Sequence, residues 1–320
     1  MSNPFFSTSI GPEISRRKKL AAVFGRGFAR SFVQRKVWAY PYRHMRGFDH
    51  QRYYERQEDG SWLIGGGGME LVKTQTLSDW GFRLKRKVLL VASGPSAKDY
   101  EWNNLEDRSI VAVNGSIEFL RTIGLIPDYW VTSDPNFNRT GAEHFRKNPD
   151  VPLALTLRGL EALIHDCPEA VVSRPLCVIE RVNQWYGSAS MTQAEFGRVN
   201  QESGEPFVLP DGDTEKLKIG WSHRPEWGIF SGCTVVFAAL QILVRLGATD
   251  IKIVGMDLGG AERNYAEGEN KRPSGLDSHR DRIILPSFKV MGEALAHSGV
   301  RIRNLSTVCP IQGDLVPGHF

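Results

Sequence analysis

Cysteine is scarce in this 320-residue chain: Cys167, Cys177, Cys233 and Cys309 are the whole supply, and no two of them form a Cys-x-x-Cys pair. That excludes a disulfide-stapled scaffold or a thiolate zinc site as the organising principle and suits reduced thiols in a reducing compartment. Long hydrophobic runs are missing too, since none approaches the roughly 20 apolar residues that cross a bilayer. The opening MSNPFFSTSIGPEIS lacks the basic-then-apolar pattern of a signal peptide, so the expected location is the cytoplasm. There is no P-loop, no HExxH zinc motif and no GxSxG nucleophile elbow, which removes three large enzyme classes. GRGFAR from Gly25 lacks the third glycine of a dinucleotide fingerprint, and GGGG at 65–68 reads as a flexible loop.

Acidic residues are sparse at the start of the chain. Residues 1–56 carry twelve Lys or Arg against three acids, a net of about +9, so with +4 overall the remaining 264 residues carry about −5. Within this basic head, Phe24, Phe28 and Phe32 recur at a spacing of four, with Arg26, Arg30 and Arg35 between them. The stripe reads either as a face packed on the body or as a helix lying on an anionic membrane surface. Nucleic acid is not an expected partner, because basic residues thin out beyond the head.

With 41% hydrophobic and 24% charged residues, the chain has enough apolar material for one large core. The head and its sequel, residues 1–80, form one expected unit, and 81–320 the principal domain. From Lys87 onward, apolar runs and helical patterns alternate. KVLLVAS, SIVAVNG, DYWVTSD and VPLALTL read as buried strands, with IEFLRTIG and GLEALIHD as helices and AVVSR as a further strand. A polar, Gly- and Pro-rich stretch at 183–227 reads as an excursion or lid. Then come the apolar helix at 233–246, ended by Gly247, the strand DIKIVGMD, a helix bent or restarted by Pro286, and the closing strand VRIRNLS. The expected class is α/β: a Rossmann-like, doubly wound, mainly parallel sheet, whose ligands bind at the carboxyl ends of the strands.

Three small-residue clusters fall at those ends. Ser93, Gly94, Pro95 and Ser96 form the first, Asn114, Gly115 and Ser116 the second, and Ser133, Asp134 and Pro135 the third. Each alone is ordinary turn chemistry, whereas three together suggest one pocket where backbone amides and hydroxyls approach a ligand. Ser231 and Gly232 precede the apolar helix, where free amides and the helix dipole favour an anion. Asp134 and Asp257, ending their strands on the pocket side, are expected either to bind the donor by orienting the sugar or a neighbouring side chain or to cap the next helix, capping being favoured for Asp257. Asp211-Gly212-Asp213 resembles a metal-chelating Asp-x-Asp but reads as a turn after Pro210.

In order and spacing, the set SGPS, IVAVNGSIEFL, PDYWVTSD and FSGCTVVFAALQILVRLGATDIKIVGMDL resembles the lipopolysaccharide-core Kdo transferases, which add 3-deoxy-manno-octulosonic acid (Kdo) to the inner core. It is similar, more distantly, to bacterial CMP-sialic acid sialyltransferases. The resemblance covers roughly residues 87–310. It implies a sialyltransferase-like variant of the GT-A fold, a CMP-activated sugar acid as donor, a lipopolysaccharide-core acceptor, and inverting transfer with no cofactor and no metal. By the same comparison, Asn114 and the Gly94-Pro95-Ser96 turn hold the nucleotide and Ser231-Gly232 meets its phosphate. Tyr265 occupies the place of a phosphate-binding tyrosine, and a second family tyrosine falls on Gly259.

An inverting transfer needs a base for the acceptor hydroxyl, a task for which histidine is suited near neutrality. The resemblance puts that role on His279 in DSHRDRIILPSF, with helix capping as the plain alternative. His223, in WSHRPEWG, and Arg224, Arg280 and Arg282 are candidate contacts for the acceptor or the donor's carboxylate. A lipid-linked acceptor would suit a protein held by its basic head on the cytoplasmic face of the inner membrane. Two other readings stay open: a sialic acid or other nonulosonic acid transferase, and a nucleotide-binding or pterin-diphosphokinase-like protein that shares the Gly-Pro-Ser turn. The oligomeric state is not legible.

Overall fold

The computed structural model describes residues 3–5, 12–24, 36–49, 51–103, 105–172, 174–212, 217–259, 264 and 275–316. The strands of the principal sheet are β4 (Lys87–Val91), β5 (Ser109–Val113), β6 (Tyr129–Thr132), β7 (Leu153–Thr156), β8 (Leu176–Ile179), β11 (Asp250–Val254), β12 (Arg301–Asn304) and β13 (Gly313–Asp314). Their spatial order is β13-β12-β11-β4-β5-β6-β7-β8, parallel except for the β12–β13 pair. The inner strands are apolar without interruption because both faces are covered. Val88 and Leu90 of β4 enter one core and Leu89 and Val91 the other.

The helices of the sheet domain and head are α1 (Pro12–Phe24), α2 (Leu77–Trp80), α3 (Ser116–Thr122), α4 (Pro135–Thr140), α5 (Ala142–Lys147), α6 (Leu157–Asp166), α7 (Glu169–Val172), α8 (Gln193–Glu202), α9 (Val235–Arg245), α10 (Leu276–His279) and α11 (Leu285–Leu295). Leu120 of α3, Phe145 of α5 and Leu160 of α6 fill one core; Leu240 of α9 and Phe288 of α11 fill the other. The chain runs outward from β4 to β8 and then returns to place β11 beside β4. That reversal is the topological switch point, where an open α/β sheet leaves a crevice outside its strand ends.

Three expectations are corrected by the fold. AVVSR is not a strand: residues 169–172 are helical, between Pro168 and Pro175, and the strand is the next run, β8. A proline just before a short apolar run favours a helical first turn. GGGG at 65–68 is not a loose loop, since Gly65 and Gly66 end β2 (Trp62–Gly66) and Gly67 and Gly68, at φ +61° and +82°, turn the chain into β3 (Met69–Lys73). With β1 (Arg52–Arg56) these strands make a separate antiparallel sheet of three. Finally, 183–227 is more than a cover. It contains α8, opened by a Thr192/Glu195 capping box, and the short ribbon of β9 (Phe207–Val208) with β10 (Trp221–Ser222). Its Trp185, Phe196, Phe207 and Trp221 are core residues.

The described parts of the head pack on the body. Lys18 of α1 sets its ammonium over the rings of Tyr54 and Tyr186, at 5.6 and 5.1 Å, and burial lowers its pKa to about 8. Glu161 of α6 accepts from Asp49 N–H at 3.0 Å, from Arg52 at 3.0 Å and from the Tyr54 hydroxyl. Arg56 pairs with Glu180, and Gln75 N–H donates to Leu176 at 2.7 Å, covering the β8 edge. Phe24's side chain and Phe28, Phe32, Arg26, Arg30 and Arg35 lie outside the described residues, as does Asp213. No described helix is long and apolar enough to cross a membrane.

Phe5 plugs an aromatic cluster. Only 2% exposed, its ring lies 5.1–5.4 Å from those of Trp185, Phe196 and Phe207. Phe5→Ala is therefore expected to cost about 3 kcal/mol in denaturant unfolding, the loss typical of a buried phenyl that leaves a cavity.

Candidate functional site

At the switch point the tips of β4 and β11 are clasped. Gly94 N–H donates to the Gly255 carbonyl at 2.8 Å. Asp257 accepts from Ser96 N–H at 3.0 Å through one oxygen and from the Ser96 hydroxyl through the other. Gly94 is required by this closeness: a Cβ there would stand 2.4 Å from Asp257 Oδ2 and 2.5 Å from the Gly255 carbonyl oxygen. Asn264 bridges the same tip, its N–H donating to Ser93 O and its Nδ2 to Ala92 O, both at 2.9 Å. Beside the clasp lies a cavity of about 430 Å³, lined by Pro95, Asp257, Leu258, Gly259, Asp277 and Arg280 among others.

The expectation that Asp257 caps a following segment is thus replaced. Its carboxylate joins two strand ends, and the capping aspartate is Asp134, which accepts from Asn136 N–H at 2.9 Å and opens α4. Ser116 is also redefined. It is fully buried, donates to Val91 O at 2.7 Å and accepts from Val113 N–H at 3.0 Å, so its hydroxyl braces β4 against β5 and faces no ligand. Asn114 differs from it. At φ +45° it turns off β5, its carbonyl accepts from Trp130 Nε1 at 2.8 Å, and its buried Oδ1 has no hydrogen-bond partner among the described residues. Gly115 is the N-cap residue of α3, and the Ser133 carbonyl accepts from Arg181 at 2.8 Å.

The apolar helix begins two residues later than expected. Gly232 and Cys233 both take left-handed backbone, φ +48° and +52°, and α9 starts at Val235 after an N-cap Thr234 whose side chain makes no capping bond. Gly232 must be small, because a Cβ would lie 2.6 Å from the Phe237 ring. Among the described residues the first turn's amides have no side-chain cap, and α9 packs on β5 and β6. Arg181 and Lys218 act electrostatically on Cys233, so positive charge gathers where the helix dipole is also positive. Such an end is suited to an anion.

His279 ends α10 and leads into a π-helical turn, Arg280–Ile284, a local widening often found at functional sites. It is half-buried, and its neighbours Asp277 and Arg280 line the cavity. Arg280 pairs with Asp281 at 3.2 Å and Asp277 at 4.0 Å, and the Asp281 hydrogen bond holds its pKa above the ordinary guanidinium value. Arg282 is exposed. Tyr265 lies outside the described residues.

His223 and Arg224 are elsewhere. Arg224 pairs with Glu226 at 3.4 Å, and Glu226 pairs with Arg245, in the last turn of α9, at 2.7 Å. That is the far end of the helix from Ser231, about 16 Å away at 1.5 Å per residue, so Arg224 does not reach the start of α9. Sequence reading missed Asn264 and Arg181. Neither sits in a recognisable motif, although Arg181 just after the apolar run PLCVIE marks a strand end.

No family model matches the chain. Two curated proteins are similar to it, both described as probable 3-deoxy-manno-octulosonic acid transferases. The one from Escherichia coli K12 is 26% identical over 239 residues, 73% of this chain and 83% of the relative. The one from Salmonella typhimurium LT2 is 22% identical over 239 residues, 73% of this chain and 87% of the relative. The chain is thus distantly similar to transferases, and its mostly parallel sheet flanked by helices is consistent with a Rossmann-like α/β fold.

Proposed function

We propose that this chain is a glycosyltransferase that moves Kdo from CMP-Kdo to a lipopolysaccharide-core acceptor, with inversion and without a metal. The observation that carries the reading is the switch-point crevice beside the clasped tips of β4 and β11, with the tips of β5 and β6 next in the sheet. The two relatives supply the sugar class. In this reading Gly94, Pro95 and Ser96 hold the nucleotide with Asn114, whose free Oδ1 takes a donor from base or ribose. The phosphate meets the amides after Ser231 and Gly232, with Tyr265 as a further donor.

The acceptor hydroxyl oxygen attacks the anomeric carbon while the bond from that carbon to the phosphate oxygen breaks, its electron pair leaving with CMP. His279 takes the hydroxyl proton, and the amides at α9 stabilise the charge that grows on the leaving phosphate. In this reading Arg280 and Arg282 take the sugar carboxylate, which would share Arg280 with Asp281. A peripheral position on the cytoplasmic face of the inner membrane, held by the basic head, belongs to the same proposal.

The test is CMP release in EDTA with purified core lipopolysaccharide as acceptor. Acceptor-dependent release is expected from CMP-Kdo and not from CMP-sialic acid. Release from CMP-sialic acid alone would move the donor assignment, and release from neither donor by folded protein would contradict the transferase reading.

A further inference from the structure

A second cavity, of about 300 Å³, opens beyond the other half of the sheet, at the ends of β7 and β8. Arg43, Arg46, Arg158 and Arg181 line it, together with Thr156 and Tyr186. These arginines converge from three parts of the chain: the turn at 43–46 in the head, the first turn of α6, and the segment just past β8. None of the four has a carboxylate within ion-pair distance among the described residues. Arg181 donates to the Ser133 carbonyl and feels Asp134 at longer range. Arg158 lies over the Phe48 ring at 5.0 Å. Among the described residues one carboxylate lines the cavity, Glu180, and it is occupied by Arg56 and by Tyr186 N–H at 2.7 Å.

The arrangement is built in advance. Trp38 and Met45, each 1% exposed, anchor the basic turn, and His44 bonds the Trp185 carbonyl at 3.0 Å through Nε2. Gly47 lets the Arg158 guanidinium lie against the backbone, since a Cβ would stand 2.8 Å from its Nη1. Burial lowers the pKa of both Arg158 and Arg181, the mark of cations held without full compensation. The positive end of the ten-residue α6, capped by Thr156, adds to the field. Like charges gathered this closely repel, and a resident anion removes the cost.

We propose that this pocket seats a phosphate monoester carried by the glycan acceptor. One carboxylate has a single charge and one edge for a guanidinium, whereas a phosphate monoester offers a double charge and three oxygens to forks arriving from different directions. Its role as acceptor subsite rests on the transferase reading above; the anion pocket itself does not.

Calorimetric titration of glucose 6-phosphate, glucose and glucuronate into the full chain tests it, with CMP titrated separately. Wild type is expected to bind glucose 6-phosphate and not glucose. The double variant R43Q/R46Q, altered at two exposed side chains, is expected to lose at least about tenfold in that affinity while its CMP affinity is unchanged. Absent binding by wild type, equal binding by the variant, or preference for glucuronate would overturn the proposal. So would a parallel loss of CMP affinity, which would put the donor in this pocket. Failure of CMP to bind either protein would count against the transferase reading while the glucose 6-phosphate result still judged the pocket.

Discussion

Gly94→Ala is expected to reduce CMP affinity by about 30-fold or more while leaving a folded protein. The added Cβ meets two atoms at once, Asp257 Oδ2 at 2.4 Å and the Gly255 carbonyl oxygen at 2.5 Å. A carboxylate can swing aside, but a carbonyl at the end of a central strand cannot, so the β4 tip has to lift off β11. That breaks the Gly94–Gly255 hydrogen bond and separates Ser96 from Asp257, changing the wall of the crevice. Overpacking of this kind costs about 1–3 kcal/mol of stability. Denaturant unfolding measures that cost, and titration with CMP at a temperature where both proteins are folded measures the affinity. A variant that binds CMP as wild type does would show that the nucleotide does not use this crevice.

For His279→Ala the expected result is a fall in kcat of about 10² to 10⁴, the range for loss of a general base, with CMP affinity within about twofold of wild type. The side chain is half-buried and makes no hydrogen bond among the described residues. Its removal should therefore change stability by no more than about 0.5 kcal/mol. This separation of kcat from folding and binding is what a merely structural histidine would not give. An unchanged kcat would remove His279 from the chemistry and return it to the plain role of a residue at a helix end.

Much of this was legible in the sequence because buried parallel strands are written as uninterrupted apolar runs. KVLLV, SIVAV and LALT announce themselves, and the rule that ligands collect at strand ends then selects Gly94, Asn114 and Ser133. Roles were harder to read than places. Ser116 has the composition of a tip residue, yet the turn rotates its hydroxyl into the sheet. Asp257 looks like a cap, but its partner, Ser96, is far away in sequence. The three strands of the head were hidden because β1, RYYER, buries only Tyr54 and Arg56 among charged neighbours. Arg224 is tied to the far end of α9 by its link through Glu226 to Arg245, which only the folded chain reveals. The arginine pocket was invisible for the same reason, its four residues being drawn from Arg43 to Arg181.

Amide hydrogen exchange with and without CMP shows where the nucleotide sits. Slowed exchange is expected at 93–97, at 114–116 and at 231–237, the segment leading into α9, with the basic turn at 43–48 unaffected. Protection confined to 43–48, 156–158 and 179–186, or no protection at saturating CMP, would contradict that placement.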